Sequence, residues 1–294
     1  MNQVYDIITD RIIQKLEAGE IPWTKPWNHA GAPANYVSKK PYRGINVFLL
    51  GMSGHASPYW LSFKQAQQLG GSVRKGEKGT PCIFWRLWKP GQDPHAQPGE
   101  VTDDKIPLLR YYTVFNSCQC DGLNIPAPEA RPEINPIEAA EAIKANMPKP
   151  PAFTICGQAC YSVISDTVGM PAQELFKNDS SYYATLFHEI GHSTRHESRL
   201  NRKDPKEKGN SFRRFGSDEY AREELVAEMT SAFLCSESGI IEPQLENAAA
   251  YIQNWLEVFR KDKKILVVAA AQAQRAADYI LNRTHTEKTE ETAA

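Results

Sequence analysis

The 294-residue chain has no apolar run approaching the length that crosses a bilayer, which argues against a helical membrane protein, and no membrane partner is expected. Its start, MNQVYDIITDRIIQKLEAGE, lacks the basic patch and continuous apolar stretch of a signal peptide, so a cytoplasmic protein is expected. Cysteine is sparse: six residues spread over this length do not make the dense disulfide framework of a small secreted domain. Cys118-Gln-Cys120 and Cys156-x-x-x-Cys160 have no second pair at zinc-knuckle spacing, and they read as buried, reduced thiols. No internal repeat occurs, which excludes solenoids and propellers. Negative charge is scarce at one end only. Residues 1–92 hold 12 Lys/Arg against 5 Asp/Glu, whereas the remainder holds 22 against 30, so a net charge of -1 hides a basic first third and an acidic rest.

The pattern along the chain supplies the organisation. Val4, Ile8, Ile12 and Leu16 recur at fourfold spacing with Gly19 just beyond, which predicts an amphipathic helix and its stop. Pro and Gly then break up IPWTKPWNHAGAPANYVSKKPYRG into an extended loop. SFKQAQQLGG predicts a short helix from Ser62, and TPCIFWRLW and IPLLRYYTVFN predict paired strands around the polar insert GQDPHAQPGEVTDD. A Pro-rich stretch from about Ile125 to Pro151, with one short Ala/Glu-rich helix, marks a domain boundary. Beyond it AFTIC and YSVIS read as two strands joined by a GQA turn. Four helices follow, and the tail THTEKTEETAA reads as disordered.

Within the third part lies His188-Glu189-Ile-Gly-His192. On a helix, positions i and i+4 share a face, so two imidazoles can meet one ion while Glu189 stands beside them to handle a water. A catalytic zinc needs a third protein ligand. His196 continues the series but lies about 12 Å along the axis from His188, too far to share an ion. A metzincin pattern is excluded, because Arg195 and Ser198 stand where Gly and His would be required. The remaining source is EELVAEM, in which Glu224 and Glu228 lie one turn apart on a second helix. Glu224 is the preferred ligand and Glu228 the acid that orients a ligand histidine, although the two roles are interchangeable at this level. Glu223 reads as the solvent-facing acid of the three. The chemistry this set supports is amide hydrolysis, with Glu189 as general base and Tyr161, Tyr182, Tyr183 or Tyr220 as candidate oxyanion donors. YSVIS could receive a peptide by strand addition.

Five of the six tryptophans (Trp23, Trp27, Trp60, Trp85 and Trp88) fall within the basic first 88 residues. Cations that track phosphates, interleaved with rings that stack on bases, bind single-stranded nucleic acid without sequence readout. The candidate contacts are Trp23, Lys25, Trp27, Lys39, Lys40, Tyr42, Arg43, Trp60, Arg74, Lys75 and Lys78. Read singly, Tyr36, Tyr42 and Trp60 suit a core; the collective excess is what points to nucleic acid.

Several long strings carry a family resemblance: LEAGEIPWTKPW, PYRGINVFLL, PYWLSFKQAQQLGGSVRKGEKG and IFWRLW, then YYATLFHEIGHSTRHESRLNR with EELVAEM. From the first helix to about Arg283 the chain resembles the ArdC family of plasmid antirestriction proteins and related conjugative primase-associated proteins. The resemblance implies an α+β protein of two domains. A small mixed domain that binds single-stranded DNA (residues 1–125) is joined by a Pro-rich linker with a short helix (126–151) to a mostly helical zincin-like metallopeptidase domain with a small sheet (152–283), and residues 284–294 form the tail. It also implies a role in conjugation, shielding the entering strand from host restriction. His188, Glu189 and His192 match the family motif residue by residue. Zn2+ is the expected ion, with Mn2+ or another divalent metal as an alternative. Two other functions stay open: a dedicated zinc protease acting on a host or DNA-bound protein, and a non-catalytic DNA-binding protein with a structural metal.

Overall fold

The computed structural model describes residues 3–24, 31–88, 106–124, 135–202, 218–240 and 248–284. The stretches at 25–30 and 89–105, and the tail from 285, which contain Lys25, Trp27, the polar insert and the expected disordered end, lie outside the described residues.

The first helix, α1 (Gln3–Glu17), buries the fourfold stripe that the sequence laid out: Val4, Ile8, Ile12 and Leu16 are all inside. Strand β1 (Ala34–Asn35) pairs in parallel with β2 (Tyr59–Ser62). Between them α2 (Ile45–Gly51) is apolar nearly all round, and its one polar inner residue, Asn46, hydrogen-bonds both the N–H and the C=O of Ile83 at 2.8 Å. A buried amide with both ends satisfied pins this helix to its neighbouring strand. Helix α3 (Phe63–Gln68) starts at Ser62 through a capping box with Gln65. The short β3 (Ser72–Val73) pairs with β6 (Cys120–Asp121). The long hairpin β4 (Thr80–Trp88) and β5 (Ile106–Asn116) runs antiparallel from Thr80↔Val114 to Trp88↔Ile106, and the main sheet has the order β1-β2-β5-β4.

The second half begins with α4 (Pro136–Asn146), capped by Asn135, with Ala140 and Ile143 buried against a long helix further along the chain. Three strands, β7 (Ala152–Ile155), β8 (Cys160–Ser162) and β9 (Thr167–Met170), form a mixed sheet in the order β7-β9-β8. AFTIC and YSVIS are therefore not sheet neighbours: the run TVGM lies between them, parallel to one and antiparallel to the other. Gly169 allows this. A Cβ there would stand 2.6 Å from the Cys156 sulfur, so glycine leaves room for that side chain over the central strand. Helices α5 (Asp179–Ser193), α6 (Asp218–Ser238), α7 (Ala248–Lys261) and α8 (Lys264–Ile280) complete the fold.

The apolar core is continuous from Val4 to Ile280. Helix α1 packs on α7 and α8. Trp23 lies edge-on to Trp255 with ring centroids 4.8 Å apart, and Phe48 stacks on Phe233 at 5.0 Å. Thr9 donates to the Lys263 carbonyl, Gly44 N–H donates to Gln274, and Arg43 is ion-paired with Asp278. The mixed N-terminal part thus rests directly on the C-terminal helices.

Candidate metal centre

Helix α5 carries the His-Glu-x-x-His run on the face it turns toward α6. Asn178 caps its start by accepting from the Ser181 N–H. Glycine inside a helix costs about 1 kcal/mol relative to alanine, and Gly191 accepts that cost for a reason of space. A Cβ on it would stand 3.3 Å from the Ala227 Cα and 3.3 Å from the Thr230 Cβ. The two helices cross closely at this point, which brings the acids of one to the imidazoles of the other.

Three donor atoms converge there. His188 Nε2 and His192 Nε2 are 3.0 Å apart. The Glu224 carboxylate reaches both, Oε2 at 3.5 Å from His188 Nε2 and Oε1 at 3.4 Å from His192 Nε2. One donor from each residue falls within 4.8 Å of the others, and among the described residues no other such group of three is found. Two imidazole nitrogens and one carboxylate oxygen are the donor set expected for a catalytic zinc, and they also suit manganese. The residues present fit a divalent cation.

The remaining acids are divided differently from the sequence expectation. Glu228 Oε1 lies 3.8 Å from His188 Nδ1, inside ion-pair range but beyond a hydrogen bond. Glu223, expected to face solvent, is only 8% exposed, and its Oε1 lies 3.3 Å from His192 Nδ1. His192 thus touches successive glutamates with its two ring nitrogens. With Nδ1–H donating to Glu223, the Nε2 lone pair is left aimed at the donor cluster. The reason for the correction is Arg202, which grips Glu223 from the far side through Nη1 at 2.8 Å and Nη2 at 3.0 Å. The same guanidinium donates to Thr194 Oγ1 and to the Gly191 carbonyl at the end of α5. Arg199 does likewise for Ser193, and it also binds Asp166 and the Tyr161 hydroxyl. Two cations thus satisfy the open carbonyls of the helix terminus. Spacing gave no sign of Glu223 or Arg202; cations just past a helix end were the only available hint.

These contacts set the charges. Burial raises the pKa of a carboxylate, yet in Glu223 the Arg202 charge and the His192 hydrogen bond outweigh it and lower the pKa to about 2. Burial would lower the pKa of His192, but hydrogen bonds to Glu223 and Glu224 lift it to about 10. Glu224 is driven down against burial by its bonds to the two histidines. Glu189 behaves in the opposite way. It is 8% exposed, and burial raises its pKa against the opposing pull of His188 and His192. A buried carboxylate shifted upward is suited to taking and returning a proton. The hydroxyls of Tyr161 and Tyr183 are engaged elsewhere, on Asp166 with Arg199 and on Glu141. His196 turns away to Ser198 and stands 3.8 Å from Asp166.

The expected DNA contacts separate into inner and outer groups. Trp23 is fully buried and Trp60 is 2% exposed, so neither ring can stack on a base. Both are core residues, held by Trp255 and Phe48 in one case and by Leu50, Cys82 and Val114 in the other. Tyr42 packs beside Trp60, and Arg43 is half-buried against Asp278. Arg74 is exposed but pairs with Glu77 and Asp121. Lys39, Lys40, Lys75 and Lys78 are exposed. The Lys39 ammonium sits 4.5 Å over the Tyr36 ring and 4.3 Å over the Tyr59 ring. Two rings that the expected contacts omit, Phe63 and Tyr111, are 51% and 47% exposed.

Comparison with known proteins agrees with this geometry. Residues 2–115 match the family model of the N-terminal domain of anti-restriction factor ArdC, and residues 138–272 match that of a zincin-like metallopeptidase. The uncharacterized protein y4eC of Sinorhizobium fredii is 34% identical over 94% of this chain and 91% of its own length. A DNA primase TraC of Escherichia coli is 35% identical over 94% of this chain, which spans only 27% of that longer protein. The Mn(II)-bound crystal structure of the antirestriction protein ArdC from plasmid R388 is 35% identical and superposes with a TM-score of 0.72, covering 95% of this chain and 97% of that one. The metal-free structure of the same protein gives a TM-score of 0.73.

Proposed function

The chain belongs to the ArdC family of antirestriction proteins and carries a zincin-like metallopeptidase domain, and from that premise we propose that it binds single-stranded DNA without sequence preference and hydrolyses peptide bonds at a divalent metal centre. In this reading the DNA-binding part, residues 1–125, shields an entering plasmid strand from host restriction during conjugation. The peptidase part acts on a protein associated with that strand or with the host response.

His188, His192 and Glu224 would hold the cation, Zn2+ in keeping with the zincin family and Mn2+ as in the related crystal structure. The cation would supply Lewis acidity toward a water and a peptide carbonyl. Glu189 takes the proton from that water at its carboxylate and returns it to the leaving amine, a role its buried position and raised pKa suit. Glu223 and Arg202 keep His192 in one tautomer and one orientation. The single observation that carries the hydrolytic reading is the position of Glu189: it lies outside the three-donor group, buried beside it, with a raised pKa. A purely structural ion would be fully ligated by the protein and would leave no such base idle.

For DNA, the supporting feature is the exposed surface around β1 and β2, where Lys39 bridges Tyr36 and Tyr59 and where Lys40 and Phe63 are open to solvent. With Lys75 and Lys78 it offers both cations and stacking faces. The test uses the full chain with labelled single- and double-stranded oligonucleotides at two salt concentrations, read by fluorescence anisotropy. A preference for the single strand that weakens steeply with salt is expected, and no binding, or binding indifferent to salt, would overturn the DNA reading. In parallel, Glu189→Gln is expected to keep the metal and to lose peptide hydrolysis by about 10²–10⁴-fold. If antirestriction survives that change, DNA shielding is the principal activity and proteolysis an accessory one.

A further inference from the structure

Cys156 and Cys160 were expected to be buried thiols, and they are not. Cys156 is half-buried and Cys160 exposed, whereas Cys82, Cys120 and Cys235 are buried. Cys156 follows β7, its N–H bonded to the Met170 carbonyl at 2.9 Å, and Cys160 opens β8 opposite Gly169. Their sulfurs stand 2.6 and 3.4 Å from the point a Gly169 Cβ would occupy, and the Cys156 thiol donates to the Gln158 carbonyl at 2.8 Å within the loop that joins them. Two accessible sulfurs meeting over a glycine, with only Gly157, Gln158 and Ala159 between them, need a short shift to reach bonding distance. The next residue, Tyr161, lies on β8, which packs against α5, the helix that carries Glu189.

We propose that Cys156 and Cys160 form a redox-active dithiol site that reacts with a low-molecular-weight disulfide and closes into an intramolecular disulfide across Gly169. The step balances without a further reactant. The thiolate of Cys160, the more exposed sulfur, attacks one sulfur of the small disulfide; a mixed disulfide forms, the original S–S bond breaks, and the first small thiol leaves and takes a proton. The Cys156 thiolate then attacks the Cys160 sulfur, the protein disulfide forms, and the second small thiol leaves. Two protein thiols are oxidised and one small disulfide is reduced. The Cys160 thiol is pushed up by burial, by Cys156 and by Glu189, so at neutral pH it rests protonated and reacts faster as the pH rises. Closure ties the end of β7 to the start of β8 and restrains the strand that packs on α5. This inference rests on the sulfur geometry alone and is independent of the proposed peptidase and DNA activities.

The test incubates the reduced full-length chain with oxidised glutathione, quenches with acid, alkylates the remaining thiols and locates them by mass spectrometry. The expected result is that Cys156 and Cys160 lose alkylation together, with a mass about 2 Da below the reduced chain and no retained glutathione. The Cys160→Ser variant should instead carry one glutathione on Cys156 and form no internal bond. Backbone hydrogen exchange over residues 157–163 should slow by about tenfold on oxidation and return with reductant. Independent glutathione adducts on both residues, or full alkylation of both after treatment, would overturn the site. Pair oxidation without a change in exchange would overturn the restraint of β8.

Discussion

Replacing Glu223 with Gln gives the sharpest test of how the metal centre is built, because it keeps the shape of the side chain and removes its charge. In the native protein that charge faces Arg202 in a two-point contact at 2.8 and 3.0 Å, and it faces His192 Nδ1 at 3.3 Å. The side chains are 8% and 10% exposed, so solvent screens the pair little. Removing one partner of a buried pair leaves the other uncompensated and costs about 3–5 kcal/mol. The Gln amide still contacts the guanidinium through its oxygen, which puts the expected loss at the lower end of that range. A second effect is separate. Without the carboxylate, His192 loses the acceptor that fixes its Nδ1–H tautomer, and loss of such partners typically weakens metal binding by about 10–100-fold. The assay pairs denaturant unfolding of the metal-free protein with competition titration of Zn2+ or Mn2+. Both effects should appear in Glu223→Gln, whereas Glu228→Gln, at 3.8 Å from His188 Nδ1, should weaken metal binding less. Unchanged metal affinity in Glu223→Gln, whatever its stability, would refute the argument that Glu223 orients the ligand.

Four further outcomes follow from the same contacts. Gly191→Val places branched carbon where a single Cβ would already be 3.3 Å from the Ala227 backbone, so it should destabilise the chain by about 1–3 kcal/mol and weaken metal binding by parting α5 from α6, read by unfolding and metal titration. Metal affinity should rise about tenfold per pH unit across the neutral range: His192 is held protonated up to about 10 without an ion, and ligation must displace that proton, a release that calorimetry in two buffers measures. In the metal-free protein the raised His192 pKa gives stability that is full below its ordinary value of 6.5 and lost as pH rises through about 10. The lowered Glu223 pKa gives stability that is full above 4.5 and lost as pH falls toward about 2, so unfolding midpoints should decline on both limbs. Tyr59→Ala with Lys39→Glu should weaken single-strand binding by about 1–3 kcal/mol for a lost stacking contact and lower the salt slope, while fold stability, read by thermal melting, changes little.

What the sequence disclosed was what local periodicity can carry. The fourfold stripe of α1, the capping box at Ser62, the β4–β5 pairing and the i, i+4 placement of His188 and His192 each depend on residues close in the chain, and each is present in the structure. Glu224 was legible for the same reason. Glu223 was not, because its burial is decided by Arg202, 21 residues upstream, and nothing in the spacing says that a guanidinium will lie there. The tryptophans failed in another way. Composition counts rings but cannot tell which side of a sheet or helix a ring will take, and Trp23 and Trp60 went inward where apolar area is worth most. Their outward counterparts, Tyr36 and Tyr59, are tyrosines whose polar tips suit a half-exposed position. Gly191 was available as a signal: an interior helical glycine costs stability and asks for a packing reason.

The basic N-terminal part and the metal-binding helix also share more than a chain. Helix α6, which supplies Glu223, Glu224 and Glu228, stacks Phe233 on Phe48 of α2, and α8 behind it receives Arg43, Gly44 and α1. Each fully buried apolar side chain contributes roughly 1.5–3 kcal/mol, and Ile8, Ile12, Leu16 and Trp23 all bury against this joint core. A fragment ending near residue 125 would expose them, so weak DNA binding by such a fragment would report lost folding as readily as a lost interface. In the intact chain, a single strand bound as proposed on the N-terminal surface and a cation between α5 and α6 would both favour the folded form, so each should raise the unfolding midpoint of one common transition. Two separate transitions, one moved by DNA and the other by metal, would mean that the contacts between α1, α2 and the C-terminal helices do not hold the two parts together.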